Sequence, residues 1–259
     1  MARGLRYALA ALAVVQLLSA MALFWEVPFF VGMWPFPGTS PLSTTLLASF
    51  LAAAAASTGW VAWAGRERAL AGISWDYLAT FGLVTVFGIT RVAGGEASLI
   101  PFVIACGGAT AVGAAMYLRA RRVDWVDARP MPRVVRLSFA IFVLTLVPAG
   151  GALIAGVPNV LPWTITPDLS VVFGLMFLGS SAYFVYGLLH PVVDNAIGQL
   201  AGFLAYDIVL AIPFLQRLPS IDDRMRLGMV LYLVVIGYSA VIAVWALVVN
   251  PGTRLGQRR

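Results

Sequence analysis

The chain of 259 residues contains no lysine, one cysteine, one histidine and few charges of either sign. Only 11% of its residues are charged and 61% are hydrophobic, against about 25% and 45–50% in a soluble domain. Mean hydropathy is +0.92. This balance excludes an ordinary water-soluble globule, a disordered chain and a secreted disulfide scaffold. The missing lysine excludes a retinal-type Schiff base. Cys106 cannot form an internal disulfide and sits in an apolar run, where a small buried thiol is expected. His190 alone cannot supply bis-histidine haem ligation or a two-histidine metal site, and a helix-end role is expected of it. No P-loop, Rossmann fingerprint, H-E-x-x-H or paired-cysteine motif is present. Ser180 and His190 lie about 15 Å apart along one helix, too far for a nucleophile–base pair. The expectation is therefore no cofactor, no metal and no enzymatic activity, and a lipid-modifying enzyme is the weakest functional reading.

What the chain does have is long apolar runs. A bilayer core about 30 Å thick needs roughly 20 apolar residues per helix. Eight runs qualify, at about 5–25, 42–65, 73–93, 98–118, 137–156, 169–189, 196–216 and 227–249. No ten-residue alternation indicates a β-barrel, so helices are the spanning solution that satisfies the backbone. The predicted fold class is all-α, an integral membrane bundle of eight helices. The first run follows Arg3 and Arg6 and contains Ala20-Met21-Ala22, a form shared with signal-peptide cleavage sites. Its apolar length through Trp25 favours a retained helix.

All 17 basic residues are Arg, giving a net charge of +6. They sit in short clusters between apolar runs, which argues against nucleic acid as a partner. With the N-terminus in the cytoplasm, thirteen fall inside: Arg3, Arg6, Arg66, Arg68, Arg119, Arg121, Arg122, Arg129, Arg133, Arg136, Arg254, Arg258 and Arg259. Four fall outside: Arg91, Arg217, Arg224 and Arg226. This bias predicts a bacterial cytoplasmic-membrane protein with both termini cytoplasmic. The inner segment 119–136 carries six Arg against Asp124 and Asp127, and anionic lipid head groups are its expected partners.

The loop before the second run reads Trp34-Pro35-Phe36-Pro37-Gly38-Thr39-Ser40-Pro41-Leu42-Ser43, and the loop before the sixth reads Leu161-Pro162-Trp163-Thr164-Ile165-Thr166-Pro167-Asp168-Leu169-Ser170. A gapless shift of 127 residues aligns Pro35, Thr39, Leu42, Ser43, Phe50 and Leu51 with Pro162, Thr166, Leu169, Ser170, Phe177 and Leu178. The shift is about half the chain. It predicts two parallel four-helix repeats, residues 1–122 and 134–259, joined by a basic linker at 123–133. Ser40-Pro41 and Thr166-Pro167 each place a capping hydroxyl before a proline at the first helical position. The aromatic and proline residues ahead of them are expected as anchors in the outer interface, the functional alternative being a pocket or gate. These ten-residue stretches resemble a W-P-x-x-x-T-P-L signature of uncharacterised polytopic membrane proteins from high-GC, actinobacteria-like organisms. The resemblance implies no activity.

Asp207 is the sharpest chemical feature, near the centre of an apolar run, the costliest depth for a carboxylate. It is expected to face protein or a water-filled cavity, either as a proton or cation site or as a packing hydrogen bond. Gly198 and Gly202 on the same helix suit close contact with another helix. Arg91 and Asp76 lie near opposite ends of the third run, where interface anchoring is expected, with an Arg91–Asp207 pair as the alternative. The reading placed first is a non-catalytic subunit or scaffold of a membrane complex, with lipids and other membrane proteins as partners. The alternative is a small-solute or ion transporter using Asp207. Reporter fusions at Pro37 and Thr164 are expected to report the periplasm and one at the C-terminus the cytoplasm; a periplasmic C-terminus overturns the orientation.

Overall fold

A computed structural model of the chain describes residues 1–255. Arg258 and Arg259, counted above on the inner side, lie outside the described residues. Each apolar run forms one membrane-length helix, so the fold is that of a multi-pass, all-α membrane bundle. The long helices are α1 (Arg3–Phe24), α3 (Pro41–Ala64), α4 (Leu70–Ala93), α5 (Ile100–Ala120), α6 (Arg133–Ile154), α7 (Pro167–Leu189), α8 (Val193–Arg217) and α9 (Asp223–Val244). A one-turn helix, α2 (Pro28–Gly32), follows α1 and is absent from the sequence reading. α6 and α9 begin four residues earlier than their apolar runs, because Arg133, Asp223 and Arg224 are charged yet helical. In α9 the Asp222 carboxylate accepts a hydrogen bond from the Arg224 amide at 2.8 Å, and Asp223 in the first turn suits the positive end of the helix dipole.

α3 and α7 start where the sequence places them. Ser40 caps α3 through the Leu42 amide and Thr166 caps α7 through the Leu169 amide, with Pro41 and Pro167 as first helical residues. These two helices are the most buried of the eight, whereas α1, α5, α6 and α9 expose most of their surface. Four inner helices, α3, α4, α7 and α8, are therefore each flanked by one outer helix: α1 on α3, α5 on α4, α6 on α7 and α9 on α8.

Among the inner helices the strong packing is between α3 and α8 and between α4 and α7. Small residues permit it. A Cβ on Gly202 of α8 would lie 3.0 Å from the Ala53 carbonyl oxygen of α3, and one on Gly179 of α7 would lie 2.8 Å from the Thr80 amide of α4. Beside Gly202, the Ser57 hydroxyl donates to the Gly198 carbonyl at 2.8 Å. Contacts between α3 and α4, between α7 and α8 and between α6 and α9 are sparse. The bundle thus divides into two bodies, α1–α3–α8–α9 and α4–α5–α6–α7, which meet along a seam where the backbones stay apart and side chains such as Phe203 on Phe142 and Phe184 fill in.

Polar ties cross that seam. At one end the Thr39 hydroxyl donates to the Thr164 carbonyl at 2.6 Å, and the Trp163 indole to Ser43 at 3.1 Å. Trp163 is buried, stacked edge-on against Phe214, and Pro162 is buried beside it. Trp34 turns inward onto Phe36 and Phe102, and Pro35 is half-buried. The two loops, expected as interfacial anchors, clasp each other, with Trp163 and Trp34 packed onto neighbouring rings.

Both ends of the described chain lie at the opposite, arginine-rich end, where Arg6 and Arg254 line one surface pocket. The linker there is docked against the turn between α7 and α8. Its Asp127 amide donates to Asp194 at 2.7 Å, the Val193 amide donates to the Arg129 carbonyl, and the Met131 amide to the Pro191 carbonyl. Arg121, Arg122, Arg133 and Arg136 remain exposed. Arg129 bonds the Asp127 carboxylate through two nitrogens and holds it below the usual carboxylate range. Because that pKa is lowered, the tie is present at neutral pH and is lost as acidification protonates Asp127.

Gly202→Ala and Gly179→Ala are each expected to lower stability in detergent by about 1–3 kcal/mol, the cost of overpacking against backbone. Gly237, with nothing near its would-be Cβ, provides a control whose alanine variant should leave the thermal midpoint unchanged. Unchanged midpoints for all three would show that the close crossings are not limiting.

Candidate functional site

A cavity of about 330 Å³ occupies the seam. Its walls come from six inner and outer helices, α3, α4, α6, α7, α8 and α9, and it holds both intramembrane carboxylates, Asp207 from α8 and Asp76 from α4. One thus belongs to each body. A smaller cavity of about 170 Å³ lies on the α1–α5 side, and the two share Phe50, Ala54, Asp76, Tyr77 and Ser180. Asp76 therefore stands at their junction.

Asp207 is 2% exposed. Its Oδ2 accepts a hydrogen bond from Ser239 of α9 at 2.5 Å, while Oδ1 has no protein donor within reach. The sequence logic for this burial is energetic, since a carboxylate facing hydrocarbon at the helix centre costs about 2.5–3.5 kcal/mol on insertion scales. Rings surround it: Tyr206 and Tyr232 share a hydrogen bond between their hydroxyls, Phe203 stacks on Tyr206, and Phe50 meets Tyr206 edge-on. Gln199, two turns before Asp207, donates to the Tyr183 carbonyl at 2.8 Å and leaves its Oε1 buried without a donor.

Asp76 accepts from the Thr80 hydroxyl at 2.8 Å, one turn along α4. Asp76, expected as an interface anchor, lies on the cavity wall. Helical periodicity turns residues 73, 76, 77 and 80 toward one side, and that side faces the seam rather than the arginine-rich surface. The neighbouring Tyr77 hydroxyl accepts a hydrogen bond from Gln16 of α1.

Arg91 is not part of this site. It pairs with Glu96 and, at 3.0 Å, with Asp168 in the first turn of α7. The Arg91–Asp207 pairing is thereby excluded, and Arg91 instead ties α4 to α7 near the clasp. His190 ends α7 with its ring stacked on Tyr186, 4.3 Å between centroids. Among the described residues no arginine or histidine lines the 330 Å³ cavity. Among the described residues no three His, Cys, Asp or Glu side chains gather as a metal site would need.

Gln199, Ser239, Tyr206 and Tyr232 were not singled out from the sequence. Gln199 carried a detectable signal, a polar amide within an apolar run, eight residues before Asp207 and about 80° around the helix from it. Ser239 and the tyrosines carried none, because serine and tyrosine are common in membrane helices and their pairing is set by how α8 and α9 cross.

The cavity reaches the bundle surface between α6 and α9. Thr145 of α6 and Leu231 and Val235 of α9 line it and are also exposed. Toward the arginine-rich end the gap is closed by a 2.8 Å hydrogen bond between Ser138 and Tyr238 and by Phe142 packed on Tyr238. Toward the clasp, Asn159 and Gly228 line it. Pro148 removes one backbone donor from α6 in the turn that lines the gap.

Ser239→Ala removes the one protein donor to Asp207 and is expected to destabilise the protein in detergent by about 1–3 kcal/mol. Asp207→Asn keeps the shape and should shift the thermal midpoint less than Asp207→Leu. Equal midpoints for the Ser239→Ala variant and the parent chain would show that the serine does not hold the carboxyl. Comparison with models of known protein families, with curated proteins and with solved structures found no match to this chain.

Proposed function

We propose that the protein is a membrane transporter for a small solute or ion, with Asp207 as its intramembrane proton or cation site. One observation carries this reading: a 98%-buried carboxylate presents an unpartnered oxygen to a cavity that, among the described residues, has no basic side chain on its wall. A proton or a cation is the group such a site lacks. Asp76, on the same wall but on the other body, supplies a second carboxylate for the same charge.

The helix pairings support a mechanism. Backbones stay apart along the seam between the two bodies, polar ties span it, and the carboxylates lie along it. Small-residue contacts hold each body together while the seam can open, which is what rocking of one body against the other requires. The same pairings support the 4+4 repeat. Under the 127-residue shift α1–α3 becomes α6–α7, α4–α5 becomes α8–α9, and α3–α8 becomes α7–α4, all of which are packed pairs. Each body then takes one helical hairpin from each half. The arginine bias adds that the end opposite the clasp faces the cytoplasm and the clasp faces outward.

The subunit reading, placed first on sequence grounds, draws no particular support from the exposed apolar faces of α1, α5, α6 and α9, since lipid contact requires the same faces. The test is uptake by proteoliposomes of a panel of labelled amines and monovalent cations under an imposed pH gradient and membrane potential. At least one solute is expected to accumulate above protein-free vesicles, and Asp207→Asn should abolish accumulation while leaving expression and thermal midpoint near those of the parent chain. Absence of uptake across the panel, together with stoichiometric co-purification of another membrane protein in mild detergent, would overturn transport in favour of the subunit reading.

A further inference from the structure

We infer that the 330 Å³ cavity takes a lipophilic organic cation, which reaches it sideways from the membrane through the gap between α6 and α9. The inference rests on the transport reading for its choice of site and adds the class of substrate and the route.

Three features of the wall select the class. The buried group without a partner beside the tyrosines is an acceptor, Asp207 Oδ1, so the missing partner is a donor or a positive charge. Asp76 adds negative charge, and among the described residues no Arg or His lines the cavity to neutralise either carboxylate. A bare inorganic ion would be held by several oxygens at close range, whereas most of this wall is aromatic and aliphatic. Tyr206, Tyr232 and Phe203 beside Asp207 offer ring faces, which attract a diffuse organic cation through their quadrupoles. Their apolar edges accept its hydrocarbon part.

The route follows from where the cavity opens. The gap lies between two helices whose outward faces are apolar, with Leu231 56% exposed beside it. The clasp of Thr39 with Thr164 and Trp163 with Ser43 ties the bodies at one end, and the Ser138–Tyr238 bond closes the gap toward the other. On the α1–α5 side the wall of the smaller cavity includes Trp34 packed edge-on against Phe102, whereas the gap beside Asp207 is the one between α6 and α9. A cation with a hydrocarbon tail can leave that tail in the gap, in contact with lipid, while its charged head lies beside Asp207.

The experiment is direct binding to the full chain in phosphatidylcholine nanodiscs, with empty discs subtracted. The probes are benzyltrimethylammonium, a permanent cation, its carbon isostere neopentylbenzene, and benzyldimethyloctylammonium, which adds a tail. Saturable binding of both cations is expected, tighter for the tailed one. Neopentylbenzene should not compete. Asp207→Asn should weaken both cations by about tenfold or more; Tyr232→Leu should weaken them while Tyr232→Phe, which keeps the ring, should not. Leu231→Trp, which fills the gap, should weaken the tailed probe more than the short one. Thermal midpoints show which variants fold, and if Asp207→Asn does not, Asp76→Asn and the tyrosine pair decide. Equal competition by neopentylbenzene, or cation affinity unchanged in every folded variant, overturns the cation assignment. Equal loss of both probes in Leu231→Trp overturns the lateral route. Binding without uptake in vesicles would leave this assignment standing and remove the transport reading; uptake of other solutes with no binding of these probes would remove this assignment alone.

Discussion

The close approach of glycine to backbone at two crossings is the constraint on which the rest of the structure depends. Gly202 lies on the Ala53 carbonyl and Gly179 on the Thr80 amide. In a bilayer no hydrophobic gain draws one apolar helix to another, so packing between small residues and hydrogen bonds must do it. These two crossings join hairpins from opposite halves of the chain. Once α3 is locked to α8 and α4 to α7, the outer helices follow their hairpin partners, and the remaining inner contacts are left sparse. The cavity is the result of that division.

Placing the charged groups follows the same logic. A carboxylate at mid-membrane must avoid lipid, and the seam is the nearest interior space available to α8. Asp207 and Asp76 enter it from the two sides, while Arg91 finds Glu96 and Asp168 near the clasp. Separation of the basic from the acidic side chains within the membrane is what gives the cavity its excess of acceptors. Had Arg91 reached Asp207, the site would be a neutral structural pair.

The clasp and the docked linker bear on motion. Each is polar and exchangeable, unlike the glycine crossings: two side-chain hydrogen bonds at one end, and main-chain bonds plus the bond from the Asp127 amide to Asp194 at the other. Individually such bonds contribute about 0.5–1.5 kcal/mol each. Bonds of that size are weak beside the ring packing of Phe203 on Phe142 and Phe184, which also crosses the seam; under the proposed transport reading, both would have to rearrange as the bodies shift.

The amino-acid sequence by itself determined the helices. Run length against bilayer thickness set their number, and Ser40-Pro41 and Thr166-Pro167 set two of their starts, because hydropathy and capping are local properties. It also singled out Asp207 as a group that could not face lipid and Gly198 and Gly202 as a contact face. What only the tertiary structure decided is who meets whom. Periodicity showed that Asp76 and Tyr77 share a face with Thr80 but not that this face lines the seam, and the aromatic composition of the two loops suited an interface as well as a clasp. Trp163 went inward, Asp76 went to the cavity and Ser239 became the partner of Asp207 because helices far apart in sequence cross there. The physical reason is that in a membrane nearly every face of an apolar helix is acceptable to lipid, so the pattern along one helix does not state which face its neighbours will cover.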